Sequence, residues 1–464
     1  MKAVLIFCRQ MAGWLLAVAL IFAPWAWGTV KPIGLSGLEI IVALAAALWF
    51  MAMLEPQCRP KIPRLAVVCV GLLLLQGWWM AFNAHSVYNA VAHTFTPAHP
   101  LIRLLPGSVD QTIAVAAMLH VTVILLAFLI ACDFVRFSEW RMRFWKTLAM
   151  TGASISVYGL GAKAGIFDNM FHVPGDQASV FGSFVYHGVA GAYLNLAIPA
   201  QWGLMILYFR ESRPARQCIF WAIMTLLTIS GVMLNISRGA ALICGGELAL
   251  LALLVIWMYR HDPRMYALLG RWKHLLLAGA CVVVLAGGLA VRHNLARWET
   301  FYKDFSWHNN GRLLEWRVGW GMAMVHPLFG SGPGSFKIRL PLSHHMIQAL
   351  YSHWIVTFYV PGHRVSRWSN ATNDYLQTLV QWGVAGMVVW GVLVFGPFWP
   401  GGTGHERGVR RMLSADDILR WCSRIALLGV FIHASFDYPL EVASLELDVA
   451  FYLALNWAGR YTVL

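Results

Sequence analysis

Charge is scarce in this 464-residue sequence. Asp, Glu, Lys and Arg make up 12% of it, about half the share of a soluble globular chain. Apolar residues reach 59% and come in long unbroken blocks. Such a balance excludes a disordered chain and a soluble enzyme with one anchor, and it marks a polytopic membrane protein. Disulfides are also excluded as a scaffold. Cys8, Cys58, Cys69, Cys132, Cys218, Cys244, Cys281 and Cys422 all fall in apolar blocks or in the basic loops between them, and none stands in CxxC spacing. There is no internal repeat, no low-complexity segment and no GK[ST] phosphate loop. Acidic residues number only 21 against 35 basic ones, a formal charge of +14. In a soluble protein that surplus would suggest nucleic acid. Here it reads as the Lys/Arg bias of cytoplasmic loops, and no nucleic-acid partner is expected.

What is present is an all-α polytopic pattern of about twelve spans, each near the twenty residues a helix needs to cross. They run at 10–28, 33–53, 65–82, 111–132, 147–165, 187–209, 217–236, 239–258, 274–292, 375–396, 421–436 and 442–459. Lys2 and Arg9 before the first run, with Ala26 and Gly28 after it, resemble a signal peptide, but the length of the run favours an uncleaved span. Twenty-two of the 35 Lys and Arg sit at the termini and in every second loop, whereas the short loops of the other side hold only Lys31, Arg103 and Arg238. The alternation places both termini in the cytoplasm. It divides the chain into a bundle of spans one to nine (1–292), one large outer loop (293–374) able to form a subdomain, and spans ten to twelve (375–464).

The outer loop is rich in Trp, Tyr and Arg, among them Trp316, Trp320, Arg312, Arg317, Arg364 and Arg367. Leu313, Trp316, Trp320 and Ala323 have helical spacing, so 311–325 is expected to be a helix preceded by Arg312. Gly330, Gly332 and Gly334 with Pro327 and Pro333 predict a tight turn after it. About half of the Trp residues fit an interfacial belt; the rest, with Arg forks, suit a ligand carrying sugar rings and phosphates.

Arg238 is the sharpest single feature. An always-charged group between two apolar spans must snorkel, pair or hold an anion. Gly239 and Ala240 leave the start of the next span open, and a helix N-terminus beside an Arg is an anion site. A lipid diphosphate is the natural anion at a membrane surface. His344 and His345 lack further ligands at metal spacing, so neither metal nor cofactor is expected. His433 and Asp437, at i and i+4, are either a relay or a buried hydrogen-bonded pair.

Four stretches stand in a recognisable order: NISRGA (235–240), GRLLEW (311–316) leading into HPLFGSGPGSF (326–336), TNDYLQTLVQWGVAG (372–386) and HASFDYPLE (433–441). Together they resemble the O-antigen ligase and polymerase superfamily of bacterial envelope glycosyltransferases. The resemblance implies a metal-independent, inverting transferase in the bacterial inner membrane, working at its periplasmic face. It implies a glycan donor on a polyprenyl diphosphate and an acceptor hydroxyl, on the lipid A core in a ligase or on another lipid-linked repeat in a polymerase. The family's two diphosphate-binding arginines map onto Arg238 and Arg312, with Arg317 close by. Gly332, Gly334, Asn373, His433 and Asp437 would support the site. The family's histidine before the Asn is Thr372 here, before Asn373. Thr cannot serve as a general base near neutral pH, which leaves His353, His363 or Asp374, nearby in sequence, as candidates for that role.

Diphosphate is a good leaving group once its charge is neutralised, and two arginines can do that. The cytoplasmic loops are too short for a nucleotide-sugar domain. The rival reading is a transporter of lipid-linked oligosaccharide, which buried mid-span charges such as Glu247 or Glu39 would favour.

Overall fold

The computed structural model describes residues 1–89, 94–171, 180–261, 311–337, 370–398 and 414–458. Helix follows helix: α1 (Lys2–Trp25), α2 (Pro32–Ala52), α3 (Arg64–Phe82), α4 (Gln111–Phe134), α5 (Ser138–Lys163), α6 (His187–Arg210), α7 (Ala215–Leu234), α8 (Arg238–His261), α9 (Gly311–Val325), α10 (Asp374–Phe395), α11 (Ala415–His433) and α12 (Ala443–Ala458). Eleven of the twelve expected spans fall on these helices; the expected span 274–292 lies outside the described residues. Between α3 and α4, β1 (Ser86–Asn89) pairs antiparallel with β2 (Thr94–Pro97), Ser86 opposite Pro97. The four-residue strands of this hairpin are too short to show an alternating pattern in the sequence.

Among the described residues, eight helices are long and apolar enough to cross a membrane: α1 to α4, α6 to α8 and α10. The other three bundle helices are more polar. α5 opens on Glu139, Arg141, Arg143 and Lys146, α11 on Asp416, Asp417, Arg420 and Arg424, and α12 carries Glu446 and Asp448. Three helices begin earlier than expected, α1, α5 and α11, because their first turns carry charged residues outside the apolar runs. α11 starts in a capping box: the Asp417 N–H donates to Ser414 Oγ (3.1 Å), and the Asp417 carboxylate takes the Ser414 N–H (2.9 Å).

α6 is the central helix, buried along nearly its whole length. Its sequence is apolar on every side, as burial in a bundle requires. Gly and Ala let neighbours approach: a β-carbon built on Gly191 would lie 2.3 Å from the Ala240 side chain of α8. The amide nitrogens of its Asn195 and Gln201 are matched. Asn195 Nδ2 donates to Ala240 O (2.9 Å), and Gln201 Nε2 donates to Thr228 Oγ1 (2.9 Å) and Ala149 O (3.1 Å).

One end of the bundle is held by ion pairs. Arg9 lies 2.7 Å from the fully buried Asp133, which also accepts from Trp49 Nε1 (3.1 Å), and Arg141 lies 2.5 Å from Asp416. The opposite end, where α6, α8, α9, α10 and α12 begin, carries Arg238 and Arg312.

α10 is broken at Gly383, whose φ of 65° and ψ of −172° leave the helix. The Gly-rich turn after α9 repairs the break. Val380 O and Gln381 O accept from the N–H groups of Ser331 (2.8 Å) and Gly332 (3.0 Å), and the Val384 and Ala385 N–H groups donate to Pro327 O (2.8 Å) and Leu328 O (2.9 Å). No water would satisfy such groups in hydrocarbon, so this turn is what makes the break tolerable. It also needs its glycines. Gly330 has φ +76°, and a β-carbon there would meet the Gln381 backbone at 2.5 Å. The joint fixes α9, and with it Arg312, to the bundle.

Candidate active site

The loop after α11 is the floor of the site. Ala434 O accepts the Asp374 N–H (2.9 Å), Ser435 O accepts Asn373 Nδ2 (3.0 Å), and Asp374 Oδ2 accepts the Leu440 N–H (2.8 Å). Asn373 also caps α10, its Oδ1 accepting the Leu376 N–H at 3.0 Å. The stretch 372–374 is thereby strapped across 434–440. Asp437 is buried within the loop. Its Oδ1 accepts the Tyr438 N–H (3.0 Å), and the Tyr186 hydroxyl, from the residue preceding α6, lies 3.5 Å from its Oδ2. Tyr186 stacks on Tyr438 with centroids 5.5 Å apart and planes 8° apart. His433 Nε2 stands 3.6 Å from Asp437 Oδ2, beyond hydrogen-bond range. His433 is buried and stacks on Phe436 at 5.2 Å, so the two are a buried ion-pair-distance couple with no hydrogen bond between them.

The two arginines border this floor. Arg238 is the first residue of α8, whose start is capped by Ser237 Oγ accepting the Ala240 N–H (3.2 Å). The next residue, Gly239, abuts Phe436. Asn235 Nδ2 donates to His187 O (2.7 Å), tying the α7–α8 bend to the start of α6. Arg312 lies in the first turn of α9 rather than before it. Its guanidinium hydrogen-bonds the Tyr186 hydroxyl. Burial and the adjacent Asp437 carboxylate push the Tyr186 phenol well above its ordinary range, while Arg312 pulls it back. Arg238 and Arg312 are both solvent-accessible. Each stands at the positive end of a helix, where a further cation is unfavourable unless an anion joins it. Arg317 is also exposed, five residues further along α9. Helix geometry turns it about 140° away from Arg312.

Thr372 has a left-handed φ of 44°. Its hydroxyl donates to Glu315 Oε2, and its carbonyl accepts from Trp316 Nε1 at 3.4 Å. Glu315 is buried. Burial pushes its carboxyl up to about 7, with Asp437 adding to the rise while the Thr372 bond and Arg312 oppose it. Glu315 and Tyr186 are the site residues that the sequence reading missed. For Glu315 the i, i+3 spacing from Arg312 was a usable signal; for Tyr186 there was none. His353 and His363 lie outside the described residues.

Comparison with known families meets the same ground. Residues 223–391 match the family model described as O-antigen ligase. Over this segment the chain is similar to O-antigen ligases. No curated protein matches it. The matched segment holds Arg238, Arg312, Glu315, Gly332, Gly334, Thr372, Asn373 and Asp374. Tyr186, His433 and Asp437 fall outside it and are brought in by the fold.

Beside the floor opens a cavity of 720 Å³ between α4, α10 and α12, with Tyr186, Asp374 and Tyr438 in its lining. Deeper it is apolar, with Val121, Leu125, Phe128, Trp390, Val394 and Leu453. Its polar part holds Lys337, Glu441 and the His120–Glu446 pair, 2.5 Å apart. Glu441 is exposed to the cavity; the surrounding protein, with Glu446 beside it, pushes its carboxyl up to about 7 against the pull of Lys337 and His120.

Proposed function

We propose that this multi-pass membrane protein is a glycosyltransferase that moves a glycan from a polyprenyl diphosphate to an acceptor hydroxyl, at the periplasmic face of the bacterial inner membrane. The observation that carries the reading is the placing of Arg238 and Arg312. Both stand at positive helix ends and both border the 433–441 loop, through the Gly239–Phe436 contact and the Arg312–Tyr186–Asp437 chain. The two guanidinium groups share one diphosphate and neutralise the charge that grows on it as the glycosidic bond breaks. The acceptor attacks from the opposite face of the sugar, so the anomeric centre inverts. The energy is stored in the lipid diphosphate. The apolar cavity accommodates a lipid chain in the bilayer. The acceptor is a lipid A core if the enzyme ligates, or a second lipid-linked repeat if it polymerises.

The test is reconstitution of the full chain with a polyprenyl-diphosphate glycan and each candidate acceptor, the products resolved by size. One addition to a core means ligation, a ladder means polymerisation, and no product with any acceptor sinks the reading. A transporter of lipid-linked oligosaccharide is the second reading, favoured by Glu247 and Asp448. These carboxyls are buried inside the bundle without hydrogen-bond partners among the described residues. Transport of labelled lipid-linked glycan across proteoliposomes, without transfer, would establish it instead.

A further inference from the structure

The transfer needs a group to receive the acceptor's proton, and Thr372 cannot be that group. Four carboxylates stand at or beside the floor; Glu441, at the end of the loop, sits in the cavity with Lys337, His120 and Glu446 rather than beside the arginines. Asp437 is occupied by the Tyr438 N–H and Tyr186, with His433 beside it. Asp374 holds the 439–441 turn through the Leu440 N–H and turns to the cavity beside the floor, at the start of α10. Glu315 differs from the other three. It carries the hydrogen bond from the Thr372 hydroxyl, stands one helical turn from Arg312, and faces Asp437 and Tyr438 across the site. The positive-φ backbone of Thr372, fixed by the Trp316 and Asn373 hydrogen bonds, aims that hydroxyl at it.

We infer that Glu315 is the catalytic base of the transfer, with Thr372 as the residue that positions it. This inference rests on the transferase reading above. The acceptor O–H gives its proton to the Glu315 carboxylate as the acceptor oxygen bonds to the anomeric carbon. The bond from that carbon to the diphosphate oxygen breaks, and its electron pair leaves on the diphosphate held by Arg312 and Arg238. The proton is then released to water and the carboxylate is restored. Thr372 thus does the work of orientation at the place where the family has a histidine, and the proton-accepting group has moved one residue contact away.

The burial that raises this carboxyl gives the idea a pH signature. A base must be ionised to act, so the rate should climb with pH through a midpoint near 7. Burial sets that midpoint first, and then the charged and polar groups near it: Thr372 on the strap, Arg312 on its own helix and Asp437 on the loop. The Thr372 hydrogen bond favours the ionised form, so removing it moves the midpoint up.

The experiment is a transfer assay on the full chain in nanodiscs from pH 5 to 9, with thermal unfolding as the folding control. Glu315→Gln keeps an oxygen for Thr372 and should lose about a hundred- to ten-thousandfold in kcat, together with the rising limb. Its KM for the donor should stay within about threefold, and Glu315→Asp should recover part of the rate. Thr372→Ala should keep measurable turnover with the midpoint displaced upward. Asp374→Asn, His353→Ala and His363→Ala should keep the limb, whatever their rates. A Glu315→Gln enzyme that retains the limb overturns the assignment. So does a limb that disappears in His353→Ala, His363→Ala or Asp374→Asn, and so does an unmoved midpoint in Thr372→Ala. Inactive wild type with every acceptor is a different result, which sinks the transferase reading itself.

Discussion

Gly239 packs its backbone on the ring of Phe436, so closely that a β-carbon there would lie 2.5 Å from the ring edge. This contact seats the start of α8, and therefore Arg238, on the loop that carries Asp437. Gly239→Val should push Phe436 off its stack with His433. Overpacking of this kind costs about 1–3 kcal/mol. We expect a lower Tm and at least a tenfold loss of transfer. A variant with wild-type Tm and rate would show that this contact does not position the arginine.

Arg238→Lys and Arg312→Lys keep a positive charge but lose the planar fork that grips two phosphate oxygens. A charge-assisted hydrogen bond contributes roughly 1.5–3 kcal/mol, so each variant should turn over about ten- to a hundredfold more slowly. Both should insert and unfold like the wild type, since both side chains face solvent. Full activity in both would remove the reason for placing a diphosphate between them. An interfacial role predicts that result, because Lys snorkels as well as Arg.

The orientation can be read by labelling in intact cells. Leu104, at 96% exposure, lies on the arginine-bearing side, and Glu139 lies at the opposite end of the bundle with its side chain 80% exposed. The described native cysteines are all buried and give little background. An impermeant thiol reagent should modify Leu104→Cys at once, and Glu139→Cys only after the membrane is broken. The reverse pattern would put the site in the cytoplasm.

Asp133 is fully buried and holds Arg9 and Trp49. Asp133→Ala leaves the Arg9 guanidinium buried without its counter-charge. Removing one partner of a buried pair costs about 3–5 kcal/mol. Equilibrium unfolding in mixed detergent should show a loss of that size, with catalytic parameters of the surviving protein unchanged. A loss below about 1 kcal/mol would mean that water reaches the pair and screens it.

The bundle was legible in the sequence because a bilayer demands some twenty apolar residues per crossing and leaves that length written in the chain. The helix at 311–325 was legible too, from the spacing of Leu313, Trp316, Trp320 and Ala323. The starts of α5 and α11 were not, since their first turns are polar and lie outside the apolar runs. Nor was the hairpin at Ser86–Asn89 and Thr94–Pro97, whose strands are too short to establish a period. In the candidate site, Arg238 and Arg312 could be singled out because a permanent charge beside an apolar run needs an explanation. Glu315 was marked only by its spacing from Arg312; its pairing with Thr372, 57 residues away, appears only in the tertiary structure. The interruption of α10 was equally invisible: Gly383 reads as an ordinary glycine in a membrane helix until the turn that pairs with it is in place.

That interruption limits how the protein can be taken apart. The segment that begins at α9 is stitched, backbone to backbone, into the middle of α10 by residues 327–332 and 380–385. It is not a cassette that can be exchanged at the membrane surface. A chimera joined at residue 374 would bring in one half of the joint and leave the other behind, exposing four backbone groups with no water to receive them. Grafting a relative's acceptor specificity onto this scaffold would require a single insert running from before Gly311 to beyond Ala385, so that both halves of the seam come from the same parent.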